Sequence, residues 1–327
     1  MPNTSVIYLG RQLDNPIVVS SSSLTDTPDK VKRCEAAGAG AVVLKSLFEE
    51  QIEAEIARSA GVDAHTEADD YIRAAETTRA LDDYLALIRD SVAQVDIPVY
   101  ASLNAVTTSW WIEQASRLVD AGAAGLELNI AYLPTSREET DDAIARRYAG
   151  VVSAVAERVT VPIAVKIGPH FSSIPAMVDR MRWAGASAVV LFNRFYRVDI
   201  DVESLSLKPG VPHSSEADLS VPLRWIAILH GRAEVELVAN SGVHDWSGVV
   251  KALLAGAQTV QVCSTLYKNG LDHIAQMRDG LAQWMERKSY EQVDQFRGFL
   301  SRSGHHDVAA VERLQYLQAL TTRQATS

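Results

Sequence analysis

The sequence predicts an α/β fold, a single (β/α)8 TIM barrel with long loops after strands two and six and a C-terminal helical tail. Three observations predict it: a helix–glycine–strand unit recurs four times, eight short apolar strands can be placed along the chain, and all eight end in polar residues.

The repeated unit is an amphipathic stretch that ends in Ala-Gly-Ala and runs into an apolar strand. Its copies are Ala37–Lys45, Ala121–Asn129, Ala184–Asn193 and Ala255–Ser264. Glycine is favoured just past a helix, where φ turns positive. Strands that are apolar throughout belong to a parallel sheet covered on both faces. Four further strands fill the gaps, Ile17–Ser20, Val99–Leu103, Ile163–Ile167 and Val235–Asn240. Apolar spacing predicts helices over Thr108–Asp120, Glu138–Glu157, Ser173–Trp183, Val221–Leu229, Asp245–Leu254 and Leu271–Arg287. The alternative is an open doubly wound sheet. That fold usually has fewer strands and a glycine fingerprint after the first, where this chain has Ser20-Ser21-Ser22-Ser23.

Long connections are expected after strand two, from Phe48 to about Asp83, and after strand six, from Asn193 to Ser220. On the functional face of a barrel such loops form lids or substrate walls. Residues 1–288 are expected to form the barrel. Residues 289–327 are expected to form a helical extension packed on it, with Val308, Val311, Leu314 and Leu317 as its apolar positions.

The 327 residues carry 31 Lys and Arg against 41 Asp and Glu, a net charge of −10. Without a basic cluster, nucleic acid is not an expected partner. No apolar stretch is long enough to span a membrane, and Met1–Ser5 lacks the pattern of a signal peptide. Cys34 and Cys263 have no metal-ligand spacing, so a cytoplasmic protein with reduced thiols and no metal is expected.

The strand ends carry Ser20 and Ser21, Lys45 and Ser46, Asn104, Asn129, Lys166, Asn193, Asn240 and Ser241, and Cys263 and Ser264. Barrel enzymes draw their catalytic groups from these positions. A single asparagine there serves equally well to hold loop backbone. Lys45 and Lys166 are more telling, because an ammonium at the mouth of an apolar barrel needs an anionic partner. Ser241-Gly242 after strand seven and Cys263-Ser264 after strand eight stand where barrels commonly bind phosphate. Together these residues predict a cofactor that bears a phosphate and is rich in carbonyls. A phosphate-binding barrel enzyme without a redox cofactor, such as a lyase or isomerase, stays open on this ground.

In order along the chain, Asn15-Pro16 with Ser20–Ser23, Leu44-Lys45-Ser46, Glu127-Leu128-Asn129, Val165-Lys166-Ile167, Phe192-Asn193, Val202–Pro209, Ser241-Gly242-Val243 and Gln261–Gly270 resemble the class 1 dihydroorotate dehydrogenases. The resemblance spans nearly the whole chain. It implies an FMN-dependent flavoprotein oxidoreductase of pyrimidine biosynthesis, acting on dihydroorotate or a related small CH–CH substrate. A redox partner or small-molecule electron acceptor and a homodimer are further expectations. By position, Ser21, Lys45, Ser46 and Asn104 would line the flavin. Lys166 would sit near flavin N1 and the C2 carbonyl, where reduction places negative charge. Asn129 and Asn193 would face flavin and substrate, and Ser241, Gly242, Cys263 and Ser264 would hold the phosphate.

The substrate half departs from the family pattern. Where the family has a Cys or Ser base three residues after Asn129, this chain has Tyr132, and Pro134 replaces a substrate-binding Asn. The asparagine loop after strand two has no counterpart among His65 to Ala86. Tyr132 is a candidate base, since a nearby cation lowers a phenol's pKa; packing is its other reading. His170 and Tyr196 are further candidates. Arg194 is expected to bind a substrate carboxylate or to pair with Asp199 or Asp201. These departures predict that dihydroorotate itself is a poor substrate. A flavin-binding barrel without dihydroorotate activity is the alternative they raise.

Overall fold

The structure, a computed structural model, describes residues 2–49, 67–104, 108–132, 134–194, 198–304 and 307–324. An antiparallel hairpin, β1 (Val6–Tyr8) and β2 (Arg11–Leu13), comes first. The barrel follows with β3 (Ile17–Val19) and β4 (Ala41–Val43); β5 (Leu47–Phe48) prolongs the position of β4 beside β6 (Val99–Asn104). Next come β7 (Gly125–Asn129), β8 (Ile163–Ile167) and β9 (Ala188–Leu191). A second hairpin, β10 (Val198–Asp201) and β11 (Ser206–Pro209), precedes β12 (Glu236–Asn240) and β13 (Thr259–Val262). Among the described residues eight parallel strands close the ring: each pairs with its neighbour in sequence, β4 with β6, and β13 returns to β3.

The glycines of the repeated unit do what the sequence asks of them. Gly38, Gly122, Gly185 and Gly256 have φ of +93°, +105°, +109° and +115°, so each turns the chain out of a helix and into a strand. The helices are α1 (Pro28–Ala36), α2 (Glu67–Val92), α3 (Thr108–Asp120), α4 (Asp141–Ala156), α5 (Ile174–Trp183), α6 (Ser220–Leu229), α7 (Trp246–Ala255), α8 (Ser264–Asn269), α9 (His273–Arg287) and α10 (Val308–Gln324). Thr27, Thr140, Ser173 and Asp245 cap α1, α4, α5 and α7 by accepting the N–H three residues on. Each such cap stabilises its helix by about 1 kcal/mol. Thr140 as the cap starts α4 later than the expected Glu138, and this leaves Glu138 and Glu139 in the preceding loop.

Two expected loops carry more structure than the sequence suggested. The connection after β5 is helical from Glu67, well before Asp83, and Glu67–Ala86 lies within α2. Its residues are good helix formers with a weak apolar stripe; only from Leu81, Tyr84, Leu85 and Ile88 is a buried face evident. The connection after β9 carries the β10–β11 hairpin and a 3-10 turn, Glu216–Leu219.

Past α9, Val293 and Phe296 are fully buried, with Phe296 against Trp284 and Tyr290. Gly298, Leu300 and Arg302 donate backbone bonds to Leu253, Leu254 and Ala227 of α7 and α6. Glu312 of α10 pairs with Arg224 and Arg302, each at 3.3 Å. Leu314 and Leu317, expected on the packed face, are 57% and 45% exposed; the ion pairs that tie α10 to the barrel run through Glu312, in its second turn.

Candidate active site

At the C-terminal mouth of the barrel lies a cavity of about 220 Å3. Its walls are Ser20, Ser21, Lys166, Asn193, Arg194, Pro212, Ser214, Asn240, Ser241, Gly242, Val243, Gln261, Cys263 and Ser264. Six of the ten residues expected to bind a cofactor line it: Ser21, Lys166, Ser241, Gly242, Cys263 and Ser264. Hydrogen bonds tie two more to its walls, since Ser46 shares one with Ser21 at 3.0 Å and Asn193 donates to Asn129 at 2.8 Å. Lys45 is half-buried at the break between β4 and β5, and Asn104 is buried at the end of β6; neither lines the cavity. A larger cavity, about 350 Å3, lies on the outside between α6, α7 and α10 and holds none of the strand-end residues.

The wall after β12 and β13 is rigidly built. Ser241 and Gly242 both have positive φ, +77° and +82°. A Cβ on Gly242 would stand 2.1 Å from the backbone nitrogen of Leu219. Glycine is therefore required here by the 3-10 turn packed behind it, not only by approach of a phosphate as the sequence reading had it. Phe192 O accepts from Asn240 Nδ2 at 2.6 Å and from Ser241 Oγ at 3.3 Å. Ser214, in the loop before that turn, donates its N–H to Ser264 Oγ at 3.0 Å, lies 3.0 Å from His244 Nε2 and gives its carbonyl to Lys268 Nζ at 2.8 Å. Burial, then the Lys268 charge, holds the His244 pKa below its ordinary value. Burial likewise pushes the Cys263 thiol up, so it stays protonated near neutral pH. The sequence reading missed Ser214 and His244, which lie outside the strand ends it searched.

The cavity floor is a buried polar network. Lys166 Nζ donates to Ser20 Oγ at 3.1 Å, Gln261 Oε1 at 3.0 Å and Glu127 Oε1 at 3.4 Å. Gln261 Nε2 donates to the other oxygen of Glu127. These side chains start from β7, β8 and β13 and from the residue just past β3, so they meet only if all point at the barrel axis. A glutamate between the buried Leu126 and Leu128 was the signal available in the sequence.

Tyr132 is placed differently from expectation. Its hydroxyl donates to Glu139 Oε1, and the Arg147 guanidinium sits 4.0 Å from the ring centroid. The bond to Glu139 dominates, so the phenol pKa lies above its ordinary value and not below it. Tyr132 is half-buried and stands outside the cavity walls. His170 is exposed and stacks on Phe171, while Tyr196 lies outside the described residues. Arg194 lines the cavity and donates to Val211 O at 2.9 Å and Pro212 O at 2.6 Å, closing the loop over it. Asp199 instead faces Lys208 at 3.6 Å, and Asp201 accepts the N–H groups of Glu203 and Ser204.

Chemically, the cavity offers serine hydroxyls at one side, as a phosphoryl group needs, and a lysine with amides at its floor, as a carbonyl-rich ring needs. Among the described residues no cluster of metal-ligating side chains occurs. Nor is any described helix long and apolar enough to cross a membrane.

Comparison with known proteins agrees with this geometry. A family model described as dihydroorotate dehydrogenase matches residues 4–285. A protein of Aeropyrum pernix named as a dihydroorotate dehydrogenase A (fumarate) is 26% identical over 316 residues, covering 92% of this chain and 99% of that protein. The catalytic subunit of a dihydroorotate dehydrogenase B (NAD(+)) from Methanosarcina acetivorans is 29% identical over 209 residues, 62% of this chain and 66% of its own. Its counterpart from Methanocella arvoryzae is 26% identical over 307 residues, 90% of this chain and 96% of its own.

Proposed function

The chain belongs to the dihydroorotate dehydrogenase family, and from that premise we propose that it is an FMN-dependent oxidoreductase acting on a CH–CH bond of dihydroorotate or a related small ring substrate. The observation that carries the reading is the cavity in which the loops after β12 and β13 meet Lys166. Its donor set suits FMN, with serine hydroxyls and the Gly242 turn for the phosphate and a buried cation for the ring edge that gains negative charge. Bound flavin supplies the hydride acceptor.

This chain's own residues do the rest. Ser21, Ser241, Gly242, Cys263 and Ser264 hold the cofactor, with Ser46 and Asn104 behind them. Asn129 and Asn193, already joined to each other, orient the substrate, and Lys45, though not a wall of the cavity, is assigned to an anionic group of the substrate. Arg194 keeps the 211–212 segment closed over the cavity. Tyr132 Oη receives the substrate proton while its own proton passes to Glu139, so the raised phenol pKa is met by a relay and not by a free phenolate. Residues 289–327 serve as an extension of the barrel formed by 1–288. Electrons leave to a small-molecule acceptor or a redox partner, and the chain works as a homodimer.

The test is direct. The purified protein is expected to be yellow and to release FMN on denaturation. Anaerobic mixing with dihydroorotate is expected to bleach the flavin band slowly, and Tyr132→Phe to slow bleaching a further ~100-fold or more at unchanged flavin content. A colourless protein that takes up no added FMN overturns the flavin reading. An unaltered bleaching rate in Tyr132→Phe overturns the relay.

A further inference from the structure

We propose that Glu127 is a positioning residue for the cofactor site: it holds Lys166 on the barrel axis and offsets its charge, so that the pair, and not the lysine alone, sets the reduction potential of the bound flavin. The inference rests on the flavin reading above and names a residue that reading does not use.

The case begins with burial. Glu127 is 2% exposed, Gln261 2% and Lys166 6%. An ion at such a depth is costly unless it is paired and fully hydrogen-bonded. Here the pairing is complete. An ammonium has three donors, and Lys166 Nζ has three acceptors within reach: Glu127, Gln261 and Ser20, at 3.4, 3.0 and 3.1 Å. Gln261 closes the ring by donating its amide to Glu127. Lys166, Gln261 and Ser20 are walls of the cavity; Glu127 is not, and acts from behind them.

A purely structural role explains this poorly. Buried ion pairs add little net stability, and apolar residues of similar volume commonly replace them without loss. The neighbouring strand positions are apolar throughout, as in Leu126, Leu128, Val165 and Ile167. What an apolar replacement does not supply is a cation of fixed position whose charge is largely cancelled while the cavity floor is neutral. When negative charge appears at the ring edge, Lys166 attracts it and Glu127 opposes it. Removing Glu127 therefore leaves a net cation and favours the reduced flavin; removing Lys166 leaves a net anion and disfavours it. Removing both restores neutrality.

That symmetry is the experiment. The midpoint potential of the bound flavin is measured at pH 7 against reference dyes for the wild type, Glu127→Gln, Glu127→Asp, Lys166→Met and the Glu127→Gln/Lys166→Met double variant, with flavin content recorded for each. Glu127→Gln is expected to shift the reduced-to-oxidised ratio at least tenfold toward reduced, about 30 mV for a two-electron couple. Glu127→Asp, which keeps the charge, should stay near the wild type. Lys166→Met should shift the ratio the opposite way, and the double variant should return to the wild-type potential. A double variant whose potential stays about 30 mV or more below that of the wild type overturns the proposal, as does an unshifted potential in Glu127→Gln. The double variant carries no buried charge, so this outcome can be read even where a single variant fails to fold. A wild type that binds no FMN would instead overturn the underlying reading and the proposal with it.

Discussion

The two ends of the barrel are built on opposite principles. At the N-terminal end the β1–β2 hairpin fills the opening with Tyr8, Leu9 and Leu13, each no more than 4% exposed. Tyr8 meets Tyr100 edge to face, with ring centroids 5.4 Å apart, and Tyr100 Oη donates to the Tyr8 carbonyl. Leu9 N–H finds Glu236 at 2.9 Å. At the C-terminal end Ser21, Asn129, Asn193, Ser241 and Ser264 remain half-exposed, and the strands finish in polar groups that bond to one another around a cavity. One end is closed by apolar packing, whose energy scales with area removed from water. The other keeps hydrogen-bonding capacity ready for a ligand. The lesson is a division of labour within one sheet: stability resides where the strands begin and chemistry where they end.

The most severe way to break that comparison is Tyr8→Ala. The cavity it leaves should cost about 3–5 kcal/mol, read as a lower denaturation midpoint. The flavin content of the protein that remains folded should not change. Loss of flavin at full stability would erase the distinction between the ends.

Gly242→Ala tests the other end. Its φ of +82° and the Leu219 nitrogen 2.1 Å from the added Cβ force the backbone to move. Strain of about 1–3 kcal/mol is expected, and most of it should appear as FMN binding weakened tenfold or more, measured by fluorescence titration. Wild-type affinity in this variant would show that the turn after β12 does not contact the cofactor.

Glu236→Gln sharpens the comparison with the smallest effect. Burial raises the Glu236 pKa, partly opposed by the Leu9 N–H and Arg297. A carboxyl group whose folded-state pKa is raised contributes stability that is fully present below its unfolded pKa and is lost as pH rises through the folded value. The variant, which cannot ionise, should match the wild type near pH 4 and gain on it as pH rises toward 7. Melting curves across that range decide it; a difference independent of pH would mean that the carboxylate is well compensated. Turnover should be untouched.

Much of this protein was legible in its sequence because the signals are local. Ala-Gly-Ala before a strand needs only a glycine at positive φ, and Gly38, Gly122, Gly185 and Gly256 all supply it. Polar residues closing apolar strands are visible from alternation and length, and Ser21, Lys166, Ser241 and Ser264 then fall on one cavity once the ring closes. Where the local signal was weak the reading failed. The start of α2 is rich in helix formers but has no clear stripe, so it read as a loop.

What only the tertiary structure decided are meetings between residues far apart in the chain. Glu127 and Lys166 are 39 residues apart and Lys166 and Gln261 are 95 apart, and each alone reads as an oddity in an apolar strand. Gly242 is needed because Leu219 packs behind it, a contact no spacing rule contains. Tyr132 carries a raised pKa because the late start of α4 leaves Glu139 free to reach it. The physical reason is the same in each case. Propensity and periodicity act over a few residues, whereas charge, hydrogen bonding and steric fit act over a few ångströms, and only the closure of the sheet turns one distance into the other.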